Sequence, residues 1–136
     1  MPFLYRVSNS NPKDVKKRDG FTGTETTILP AKPNGGEWPP GSFCAARMDD
    51  VHLTPQQIKL ALTRFRPPPA QGTPYLFRLE VGQDQFVALS RLPEQCFVGN
   101  GAASDESAEV IVTAQVSASR IDVLVGGQWK PLSALG

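Results

Sequence analysis

The sequence predicts an α+β fold of two packed, mainly antiparallel β-sheets with short flanking helices. Three observations lead there. The chain opens on a strand of period-two alternation, and two helix-start signals fall in its first half. From Thr73 onward nearly every segment alternates as a strand. The elements run strand, helix, loop, strand, helix and then several strands, with no internal repeat. At 136 residues the chain matches the size of one domain, spanning 1–136.

Phe3, Tyr5 and Val7 alternate with Leu4 and Arg6, so Arg6 points to the face opposite Tyr5. Asn11 is placed to cap a short helix with Pro12 at its first position, Asp14 in its first turn and Asp19-Gly20 as its stop. Residues 21–41 are rich in Pro and Gly and read as a long loop with a brief strand at Thr26 to Leu29. Ser42 to Arg47 is a short apolar strand. Thr54, Pro55 and Gln57 form a capping box for a second helix, whose apolar face is Ile58, Leu60, Ala61, Leu62 and Phe65. The triple proline Pro67–Pro69 ends it.

Tyr75 to Val81 alternates cleanly, with Tyr75, Phe77, Leu79 and Val81 on one face. Phe86 to Ser90 follows as the next strand, and Glu109 to Gln115 is a further apolar, β-branched one. Ile121 to Val125 and Gln128-Trp129 flank Gly126-Gly127, a two-residue hairpin signal.

Composition bounds the function. The net charge is +1, so the bulk balance points to neither nucleic acid nor an acidic membrane. Lys16-Lys17-Arg18 reads as a solvated helix face or a patch that steers anions. The two cysteines, Cys44 and Cys96, follow no metal or redox spacing, and His52 is the single histidine. That argues against a zinc site and against Ser-His-Asp or Cys-His catalysis. No apolar run reaches the length of a membrane helix, and the first residues lack the pattern of a signal peptide.

Two residues carry the candidate chemistry. Arg6 on a rigid strand is either a surface arginine or a clamp for an anion, because a planar guanidinium holds phosphate bidentately. Glu109 opens an apolar strand after a loop of small and acidic residues. Ser107 and Glu109 share a face if both lie in the extended strand, presenting a hydroxyl and a carboxylate together.

LYRVSNSNPKDVKKRDGF resembles the opening of the mono-ADP-ribosyltransferase toxins, the cholera, heat-labile enterotoxin and pertussis catalytic chains. The matching residues are Tyr5, Arg6, Pro12, Val15, Gly20 and Phe21. SAEVIVTAQVSASRIDVLV is similar to that family's catalytic segment, with Glu109 and Ile121 in matching places, and PYLFRLEV is similar to its central strand. The family's middle Ser-Thr-Ser motif is replaced: Cys44 stands at the first serine, within Phe43-Cys44-Ala45-Ala46-Arg47. Ser107 stands where the family has Glu or Gln, a position that helps to choose the acceptor side chain.

The resemblance implies an ADP-ribosyltransferase-like split β-sandwich that cleaves NAD, the substrate that takes the place of a cofactor. Glu109 would oppose the oxocarbenium-like charge on the ribose, and Ser107 would lie on the acceptor side. Arg6 would hold the phosphates, with Cys44, Phe43 and Tyr5 completing the NAD site. Trp38 and Tyr75 are further aromatic candidates for the nicotinamide. The implied activity is mono-ADP-ribosyl transfer to a protein acceptor, or NAD hydrolysis, by a monomeric bacterial toxin or effector, secreted or injected to act in a target cell. No nucleic-acid, membrane or metal partner is expected. The alternative is a catalytically inactive protein of the same fold that binds a protein partner.

Overall fold

The computed structural model describes residues 3–22, 29, 31–32, 34–48, 53–65, 72–93 and 107–135. In chain order the elements are β1 (Phe3–Ser8), α1 (Pro12–Lys17), β2 (Phe43–Met48), α2 (Pro55–Phe65), β3 (Tyr75–Glu80), β4 (Phe86–Arg91), β5 (Ser107–Val112), β6 (Ile121–Val125) and β7 (Gln128–Pro131). Short 3₁₀ turns lie at Gln83–Gln85, Ala118–Arg120 and Leu132–Ala134. Most of the brief strand expected at Thr26 to Leu29, the triple proline, His52, Cys96 and the Phe65 side chain lie outside the described residues.

Local chemistry explains the helices. The Asn11 side chain accepts the Lys13 N–H at 2.9 Å, and Pro12 occupies the first position, where no donor is needed. Asp19 at φ 59° and Gly20 at φ 105° then turn the chain out of α1. Glycine is required at 20, because a Cβ there would stand 1.7 Å from the Val116 carbonyl oxygen. That close approach lets Phe21 and Val116 exchange N–H···O bonds of 3.1 Å, tying the first turn to the C-terminal part of the chain. At α2 the capping box is complete: Gln57 N–H donates to Thr54 Oγ1 at 3.3 Å, and Thr54 N–H donates to Gln57 Oε1 at 2.9 Å.

Among the described residues the strands form one seven-stranded sheet in the order β4-β5-β2-β1-β3-β6-β7, each neighbouring pair antiparallel. Pairing is uneven along it. β1 is registered with β3 from Phe3↔Glu80 to Ser8↔Tyr75, and β2 with β5 from Phe43↔Val112 to Met48↔Ser107. Between β1 and β2 only Leu4↔Arg47 and Tyr5↔Ala46 are registered. The sheet is thus two strand groups, β4-β5-β2 and β1-β3-β6-β7, joined by a short seam.

Each face has its own core. One packs Leu4, Phe43, Ala45, Phe77, Leu79, Val110 and Val112 with Val15 of α1, Phe21 and Leu132. The other packs Ala46, Met48 and Leu76 with Ile58, Ala61 and Leu62 of α2. Each fully buried Leu or Phe contributes about 1.5–3 kcal/mol, so both coverings are substantial.

The protein is α+β and dominated by a mostly antiparallel sheet. In place of the expected two packed sheets, β1 pairs on both of its edges and links the two strand groups side by side. Among the described residues, helices and turns form the covering layers. Details differ as well. β5 begins at Ser107 and ends at Val112, and Leu60 of α2 is 43% exposed, so it lies off the buried stripe.

Candidate functional site

Residues directly opposite each other in an antiparallel ladder present their side chains on the same face, and successive residues along a strand switch face. Following the register across the sheet, Ser90 opposes Glu109, Glu109 opposes Ala46, Ala46 opposes Tyr5, Tyr5 opposes Arg78, and Arg78 opposes Asp122. These six positions form one continuous row on the face that α2 covers. The topology gathers them from positions 5 to 122 of the chain.

The centre of the row is Glu109, a carboxylate with 6% exposure flanked across the ladder by Ala46. Tyr5 and Glu109 stand two strands apart, roughly 10 Å between backbones, and β2 places only the Ala46 methyl group between them, in the core that α2 covers. Ser107 is fully buried and opposes Met48, which puts it on the Glu109 face as the alternation requires. Cys44, buried and opposite Ile111, presents its thiol side to the same face. Ser90 is exposed and its Oγ lies 3.5 Å from Glu109 Oε2. The buried carboxylate is therefore approached by a solvent-facing hydroxyl at the outer strand of the sheet.

Arg6 and Phe43 belong to the other face. Arg6 alternates with Tyr5 and so shares the side of Leu4. Its guanidinium carbon lies 5.4 Å from the centre of the Phe21 ring and 5.5 Å from that of Phe43. Its Nη1 donates to the Cys44 carbonyl at 2.6 Å. The bond crosses the seam where the β1–β2 ladder has run out.

The predicted residues therefore divide into two groups. Tyr5, Cys44, Ser107 and Glu109 share the α2 face, whereas Arg6 and Phe43 lie on the α1 face. Arg6 and Glu109, expected to act on one bound NAD, therefore present their side chains to opposite faces of the sheet. Two strand steps separate β1 from β5, through β2, and that pairing sets the relative facing of the two residues. Of the other aromatic candidates, Trp38 lies in the loop before β2 with Lys32 Nζ 5.4 Å from its ring centre, and Tyr75 packs against the α1-side core.

Three members of the row were not singled out from the sequence. Ser90 carries only a strand signal. Arg78 and Asp122 carry no motif, but their cross-strand pairing joins them. Arg78 Nε and Nη2 both donate to Asp122 Oδ2, at 3.1 and 2.6 Å, while the Phe3 and Trp129 rings lie 4.6 and 4.5 Å from the guanidinium carbon. Charged residues of opposite sign inside the apolar strands β3 and β6 are the signal that could have marked them as partners. Among the described residues no cluster of His, Cys, Asp and Glu could hold a metal ion, and no helix is long and apolar enough to cross a membrane.

No family model, curated protein or solved structure matches the chain.

Proposed function

We propose that the chain is an NAD-binding domain of the ADP-ribosyltransferase class, transferring ADP-ribose to a protein acceptor or hydrolysing NAD, as a toxin or effector would in a target cell. One observation carries the reading. Arg6, Cys44 and Glu109 are remote in sequence but lie on three neighbouring strands, β1, β2 and β5, at the seam of the sheet. That arrangement supports the reading, because the short β1–β2 pairing is where the two strand groups meet and these residues come together.

Cleavage of the nicotinamide–ribose bond develops positive charge on the ribose. A carboxylate held in a buried setting opposes that charge more strongly in the transition state than in the ground state. Glu109 has that setting, and Tyr5 across Ala46 offers an aromatic face on the same side. Arg6 takes a different part from the phosphate clamp first expected. With its guanidinium on a backbone carbonyl and between two phenyl rings, it ties β2 to β1 and so positions the strand that faces Glu109.

The second reading is an inactive protein of the same class that binds a protein partner. The observation in its favour is that Ala46 and Cys44 bring no hydroxyl beside Glu109, and that Arg6 approaches from the other face. Calorimetry with NAD, together with NAD consumption by the purified protein with and without host-cell lysate, separates the two. The enzyme reading expects saturable binding and turnover. Absence of both removes it.

A further inference from the structure

The β4–β5 ladder is irregular at one point, and the irregularity lies beside Glu109. Phe86, Val87 and Ala88 oppose Val112, Ile111 and Val110 in regular succession. Continued without interruption, the ladder would set Leu89 against Glu109 and Ser90 against Ala108. Instead the register shifts between Ala88 and Ser90, so that Ser90 opposes Glu109 and Arg91 opposes Ala108. Leu89 is the extra residue. Inserting one residue in this way bends a strand locally and re-aims the side chains that follow.

The consequence for Glu109 is chemical. In the regular register a leucine would lie against a carboxylate with 6% exposure, which penalises the charged form. The bulge sets a hydroxyl opposite the carboxylate, with its Oγ 3.5 Å from Oε2. It also sends the Arg91 side chain to the opposite face, in the row of Ala108 and Arg47, away from the carboxylate. Contacts of catalytic carboxylates are commonly long without substrate and shorten when it binds.

We infer that Ser90 is a positioning residue for the Glu109 carboxylate, and that the β4 bulge is the device that presents it. Its place in catalysis rests on the function proposed above; the contact with Glu109 does not. The test is a titration of the Glu109 carboxyl by carbon NMR in protein labelled at glutamate side chains. The signal is assigned by its loss in Glu109→Gln. A hydroxyl that donates to the ionised carboxylate favours that form, so Ser90→Ala should move the Glu109 midpoint upward from wild type. Ser90→Thr, which keeps the hydroxyl on a strand-compatible side chain, should return it. An unmoved or lowered midpoint in Ser90→Ala, or a threonine variant that titrates like alanine, overturns the inference. Wild-type protein that binds no NAD overturns the function instead, and leaves this titration readable.

Discussion

At Arg6 two demands meet on one side chain: a hydrogen bond across the seam and a stack between Phe21 and Phe43. Lysine can supply the charge and a hydrogen bond, but its ammonium lacks the planar surface that fits between two rings. Arg6→Lys should therefore lower stability by about 1–2 kcal/mol, measured as a shifted midpoint in urea unfolding with an unchanged slope. Equal midpoints would mean that Arg6 is not the tie between β1 and β2. At Glu109 the expected effect is on chemistry rather than folding. Glu109→Gln preserves shape and removes the negative charge, so the unfolding midpoint should hold while NAD turnover falls by about 10²-fold or more. The alternation that sets Arg6 opposite Tyr5 was legible, since it depends on one strand alone. The relation of Arg6 to Glu109 was not, because it passes through the pairing of β1 with β2 and of β2 with β5.

Elements bounded by their own chemistry were the legible ones. The caps at Asn11 and Thr54 and the glycine pair at 126–127 are local signals, and each stands where the sequence places it. Gly126 and Gly127 have φ of 59° and 79°, the positive pair that a tight hairpin of this twist needs. The β4 bulge was not legible, because nothing within Phe86–Arg91 marks Leu89 as the residue without an opposite number. The turn after α1 gives a test at this scale. Gly20 and Gly35 both have positive φ, but a Cβ at Gly35 would meet nothing within 4 Å, whereas at Gly20 it would meet the Val116 carbonyl. Gly35→Ala should cost about 1 kcal/mol from backbone strain alone. Gly20→Ala should cost at least about 3 kcal/mol, because the bridge between Phe21 and Val116 must also open. Thermal unfolding of the two variants measures the difference, and similar values would show that the close approach at Gly20 is not required.

For the whole molecule, the α+β class followed from the order of elements, and the dominance of sheet followed from the alternation after Thr73. How the strands group did not follow. Whether β1 meets β2 at its edge or across a sandwich depends on contacts between segments separated by a long loop, and strand periodicity is the same in both cases. The seam is where the fold and the proposed function meet, since it brings β1, β2 and β5 together with Arg6 on a carbonyl of β2. The most direct test of the central claim is NAD binding by wild type and Glu109→Gln in calorimetry, followed by NAD consumption of the same samples. The account predicts saturable binding by both proteins and consumption by wild type alone. Wild-type protein that neither binds nor consumes NAD would contradict it.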